Sequence, residues 1–204
     1  MKMKTISLKH KKRDNIDELD KRLLILMLTL FAAGVIIGSG TINLYDSNII
    51  TNMITTYIKP DLLDIKQLFI GSLTVKSVLL LIIINTGLSC IGTTITMLIP
   101  MFIGMLYGVF LTFLIESFKA MGYGYFILIE LLPSVIFILV IIISSIQSVK
   151  MSKTLLRAVT TKIQYDKETL FLYLKSYIIP LALIFASVII EIILRELFLQ
   201  LFKF

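Results

Sequence analysis

From Ser77 to Ile115 the chain runs for 39 residues without a charged side chain. A helix of that length measures about 58 Å, whereas the hydrocarbon core of a bilayer is about 30 Å thick. One straight helix would overshoot a membrane almost twofold, so the run must fold back once. The patch Gly87, Ser89, Gly92, Thr93 and Thr94 holds residues that tolerate turn geometry or cap a helix start. Pro100 is the rival turn site, but a turn there leaves only about 16 residues before Glu116, which is short for a full span. The turn is therefore expected near 87–94, with Pro100 as a kink in the following helix.

Composition extends this argument to the whole chain. Of 204 residues, 57% are hydrophobic and 16% charged, more apolar surface than one soluble core can enclose. The apolar stretches lack strand-like alternation, which argues against an outer-membrane barrel. The expected fold is all-α: a polytopic integral membrane helical bundle with spans at about 23–44, 69–90, 93–117, 125–149 and 177–197. Residues 1–22 form a basic cytoplasmic segment, and 23–204 a single transmembrane domain. A basic start before an apolar run also describes a signal peptide, but this run is of spanning length and more spans follow. The spacing of Leu62, Ile65, Leu68 and Phe69 suggests an interfacial helix over 61–73. Met151, Leu155, Val159 and Ile163 suggest a helix that lies on the lipid surface or continues span four. Pro133 is expected to bend span four, and 125–132 is left open between spanning and re-entrant.

The formal charge of +7 raises nucleic acid as a partner, but the positions of the charges speak against it. Eight of 20 Lys and Arg lie in residues 1–22, and six more lie between Lys150 and Lys175. They flank apolar segments, as cytoplasmic loops of membrane proteins do. With five spans the inner segments hold 14. The outer segments hold six: Lys59, Lys66, Lys76, Lys119, Arg195 and Lys203. This asymmetry places the N-terminus inside and the C-terminus outside. It also supports the hidden turn, because a single central span would put the basic 150–176 segment outside.

Gly34-x-x-x-Gly38 and Gly104-x-x-x-Gly108 put small residues on one helix face, where two backbones can approach. The pairs read as docking positions, within the chain or between two copies in a homodimer. Glu116, Glu130 and Glu191 fall toward the outer side, and Glu191 precedes Arg195 by four residues, the spacing of an intrahelical ion pair. Either the carboxylates snorkel at the interface, or with Arg195 they form an outer polar cluster that receives a partner or couples to protons. Asn85 lies toward the inner side. Catalysis has little to rest on. The sequence has no HExxH, GxSxG or phosphate loop, its one histidine is His10, and no Asp falls in a span. Cys90 and His10 offer no metal-ligand spacing. No catalytic residue, cofactor or metal is expected.

The succession Ile99-Pro100, Gly104-x-x-x-Gly108, Gly122 and Leu132-Pro133 resembles the stage II sporulation protein M family. The basic start, Gly34 and Gly38 in span one, and the late Glu191 in span five fit the same layout. The chain departs from that family at Ile103, where a lysine is frequent, and at Ser134-Val135, where a polar pair is frequent. The resemblance implies a non-enzymatic scaffold in the bacterial cell membrane, on the mother-cell side of the sporulation septum. There it would anchor two peptidoglycan hydrolases, the stage II sporulation proteins D and P, during forespore engulfment. Its outer surface, here 45–75, 116–124 and the C-terminal end, would hold these extracytoplasmic partners. Family members outside sporulation accompany bacteriocin export or immunity, which makes such an accessory, or a small transporter component, the alternative.

Overall fold

A computed structural model describes the backbone of residues 2–41, 65–161 and 167–198, with side chains except at 2–17, 19 and 167. Helices α1 (Lys2–Thr41), α2 (Ile65–Gly87), α3 (Gly92–Phe118) and α4 (Ala120–Tyr125) lead into a π-helical turn, Phe126–Glu130. Helices α5 (Leu131–Thr161), α6 (Lys167–Lys175) and α7 (Ile178–Phe198) follow. There is no strand among the described residues. Five helical stretches are long and apolar enough to cross a membrane: Asp20–Thr41, Ile65–Gly87, Gly92–Phe118, Ala120–Thr161 and Glu168–Phe198. Large apolar side chains such as Ile36 (71% exposed) and Ile70 (62%) cover the outside, a surface suited to lipid.

Helix α1 runs unbroken across the boundary expected at residue 22. Nothing before Gly34 interrupts it, since Lys, Arg, Glu and Leu are good helix formers. The interfacial helix expected over 61–73 is not separate. From Ile65 onward it is the start of α2, because one interior glycine, Gly71, weakens a helix without ending it. Residues 61–64 lie outside the described residues, as does much of the loop 45–68. The basic stretch after Lys150 continues span four as the last turns of α5, through Thr161.

The central uncharged run turns back at Leu88–Ile91, where Leu88 and Ser89 donate to the carbonyls of Asn85 and Thr86 at 3.1 Å. A Cβ on Gly92 would strike the Thr86 carbonyl oxygen, so only glycine fits where the second helix leaves the turn. Cys90 lies half-buried in this turn. Helices α1 and α3 run parallel, and their seam is the most extensive helix contact among the described residues. Added Cβ atoms would strike backbone oxygens at all four seam glycines: Met101 at Gly34, Met105 at Gly38, Phe31 at Gly104 and Val35 at Gly108. The four glycines thus dock two helices of the same chain.

Helix α5 is the central post, touching α2, α3, α7 and α1. Its Phe137, Val140 and Ile141 meet Leu80 and Ile83 of α2 and Ile184 and Val188 of α7 in the main apolar core. At one end of the bundle Lys150 pairs with Asp20 of α1 at 2.6 Å. At the other, α3 reverses through Lys119, which adopts φ 48° and ψ −122°, a conformation that favours glycine. Helix α4 then folds so tightly onto α3 that a Cβ on Gly122 would meet the Leu114 carbonyl oxygen. Pro100 lies buried within α3, and Pro133 within the first turn of α5. Segment 125–132 is continuous helix with one wide turn, neither a hairpin nor a break.

Candidate functional site

Inside the bundle, toward the Phe118 and Phe198 end, four charged side chains from three helical segments converge. Lys76 Nζ of α2 donates to Glu191 Oε2 of α7 at 2.7 Å and to Ser187 Oγ at 3.1 Å. Ser72, one turn before Lys76, donates to the same carboxylate oxygen at 2.8 Å. Arg195 Nη2 donates to Glu130 Oε1 at 2.8 Å and lies 3.6 Å from Glu191 Oε1. Ser187 in turn donates to the Pro133 carbonyl at 3.0 Å. Glu130, Glu191 and Arg195 are each less than 10% exposed. Two cations and two carboxylates cancel, which is what makes burial of all four tolerable in an apolar medium.

Local sequence explains the convergence. Ser72 and Lys76 are four apart on α2, and Ser187, Glu191 and Arg195 are four apart on α7, so each set forms one stripe along its helix. Glu130 closes the π-helical turn just before Pro133, and such turns recur at functional sites. Proline lacks the N–H that would bond four residues back, so a wide turn ahead of it disturbs little. Lys76 also stands 5.6 Å from the centre of the Phe137 ring, within cation–π range.

Of the expected outer cluster, the structure brings together Glu130, Glu191 and Arg195. Glu116 lies exposed near the end of α3, away from them. Glu130 and Glu191 do not snorkel, because Lys76 and Arg195, buried beside them, hold their carboxylates inside the bundle. Lys76, expected among the outer-loop charges, instead joins this site inside the bundle. The four-residue stripes on α2 and α7 were the signal that could have found it. Among the described residues no three His, Cys, Asp or Glu side chains come together in a metal-binding group.

The cluster borders a cavity of about 550 Å³ between α2 and α3, where Lys76, Ser72, Glu130 and Tyr107 meet Leu79 and Ile103. A second polar region surrounds the turn at 88–91, and it is built of hydroxyls. Thr96 donates to Thr86 at 3.0 Å and lies 3.0 Å from Ser148, which donates to the Ile83 carbonyl at 2.9 Å. Ser152 donates to the Ser89 carbonyl at 2.7 Å. Tyr173 and Tyr177 stack edge to face, and Tyr173 donates to the Ile84 carbonyl at 3.0 Å. Asn85 instead bonds back to the Leu81 carbonyl of its own helix at 2.8 Å.

These features define a class: an all-α, multi-pass membrane protein of five apolar helices, pinned by buried ion pairs at one end and hydroxyls at the other. No protein-family model, no characterised protein and no solved structure matches the chain.

Proposed function

We propose that the protein is a non-enzymatic membrane scaffold of the stage II sporulation protein M kind, placing extracytoplasmic peptidoglycan hydrolases during forespore engulfment. The observation that carries the reading is the closure of the ion cluster: each carboxylate lies within 2.8 Å of a cation. Charges committed to one another suit a fixed body better than acid–base chemistry, which needs a group poised to exchange a proton. The resemblance supplies the partners, the stage II sporulation proteins D and P. The positive-inside asymmetry supports an outer face formed by the segment before Ile65, 116–124 and the C-terminal end; 65–75, expected on that face, belongs to the membrane-crossing α2. Deletion in an endospore-forming host, followed by membrane-dye microscopy, tests this. Engulfment should stall with the hydrolases dispersed from the septum, and normal engulfment with unaltered hydrolase placement overturns the reading.

A second reading, a small transporter component, is favoured by the cavity beside Lys76 and Glu130. Protein reconstituted in vesicles would then pass an ion or solute, and absence of flux across a broad solute panel counts against it.

A further inference from the structure

The cavity between α2 and α3 has a direction. Joined by the short turn at 88–91, the two helices meet through Thr86 and Thr96 and leave a groove further along. On α2 the groove runs from Gln67 to Leu79, about 18 Å of helix, against about 15 Å for half of a bilayer core. Toward the turn its walls are apolar: Leu79, Ile103 and Phe137. Nearer the Phe118 end they carry Gln67, Leu68 and Phe110, with Ser72 and Lys76 between the two ends and Glu130 at the ion cluster. The rim residues Val75 and Leu106 are apolar and 62% and 51% exposed, so the groove opens sideways to lipid.

Gly71 lines this groove, and a Cβ there would meet nothing within 4 Å. Glycine weakens a helix interior, and here no close helix contact requires it, unlike at Gly34 or Gly104. What its missing side chain leaves is room in the groove. The bordering ion cluster is neutral, so an occupant with a net charge finds no uncompensated partner.

We infer that the groove binds one acyl chain of a membrane glycerolipid. The chain end lies against Leu79, Ile103 and Phe137, the chain passes Val75 and Gly71, and the ester oxygens sit at the level of Gln67, about 18 Å along α2 from Leu79. The length, the lateral opening and the space at Gly71 all fit this occupant. This inference is independent of the scaffold reading and needs only that the chain is embedded in a bilayer.

The test uses the full chain in phosphatidylethanolamine and phosphatidylglycerol vesicles doped with a phospholipid carrying a diazirine on one acyl chain. After irradiation, mass spectrometry should place the label on groove residues of α2 and α3, in excess over the exposed face of α1. Unlabelled phospholipid should compete for it. Gly71→Phe, which excludes about two methylenes, should cut groove labelling about tenfold, while Ile36→Phe on α1 leaves it unchanged. Leu106→Trp on the facing wall provides a second plug should Gly71→Phe fail to fold. Label spread evenly over all lipid-facing helices, or groove labelling untouched by a folded plug variant, overturns the inference.

Discussion

At the Phe118 end of the bundle, helices far apart in sequence are joined by four charges. Around the turn at 88–91, the same task falls to threonines, serines and tyrosines. The difference teaches where each kind of glue belongs. A serine or threonine hydroxyl inside a membrane helix can fall back on a carbonyl of its own turn, as Thr112 does with Gly108, so losing its cross-helix partner costs little. A buried ammonium or carboxylate has no such refuge. The hydroxyl end is therefore tolerant, and the ionic end is all or nothing.

The largest expected effect breaks the ionic end. Glu191→Ala leaves Lys76 without its carboxylate and should cost about 3–5 kcal/mol, read by thermal unfolding in detergent. Replacing both partners, Lys76→Met with Glu191→Met, should recover much of that loss, because Arg195 and Glu130 still balance. A double variant as unstable as the single would show that the pair is not the unit. At the hydroxyl end, Thr96→Val or Ser148→Ala should cost only about 0.6 kcal/mol each. A loss matching Glu191→Ala would erase the contrast. Lys119→Gly should raise stability by about 1 kcal/mol, since glycine relieves the φ 48° backbone between α3 and α4. The smallest effect is Glu116→Gln: exposed and outside the cluster, it should leave the melting temperature unchanged.

The five crossings and the turn near Gly87–Gly92 were legible because they follow from length against bilayer thickness, and few turn-forming residues compete for the position. The glycine pairs of α1 and α3 were legible as docking faces, but spacing alone could not choose between an intrachain seam and a second copy. The site was half legible. Glu130, Glu191 and Arg195 stand out as charges among apolar neighbours, and the i,i+4 relation of the last two is written in the sequence. Lys76 was assigned outward because positive-inside counting assigns every cation to a side and has no category for one enclosed by the bundle. Its partner lies 115 residues away, a pairing that no local pattern reveals. Ser144, Ser148 and Ser152 repeat every four residues on α5, yet serine is common enough in membrane helices that the stripe carries little information by itself.

That same separation sets an order in time. Lys76 is synthesised 115 residues before Glu191, roughly ten seconds at ordinary translation rates. Helix α2 thus enters the membrane with a lone cation whose insertion cost is about 3 kcal/mol, and its Val-, Leu- and Ile-rich remainder must outweigh that cost. Only when α7 arrives does the lysine gain its carboxylate, so a helix made late locks one inserted long before. A chain stopped short of Glu191 would carry an exposed defect in α2, a mark by which membrane quality control could tell unfinished copies from finished ones.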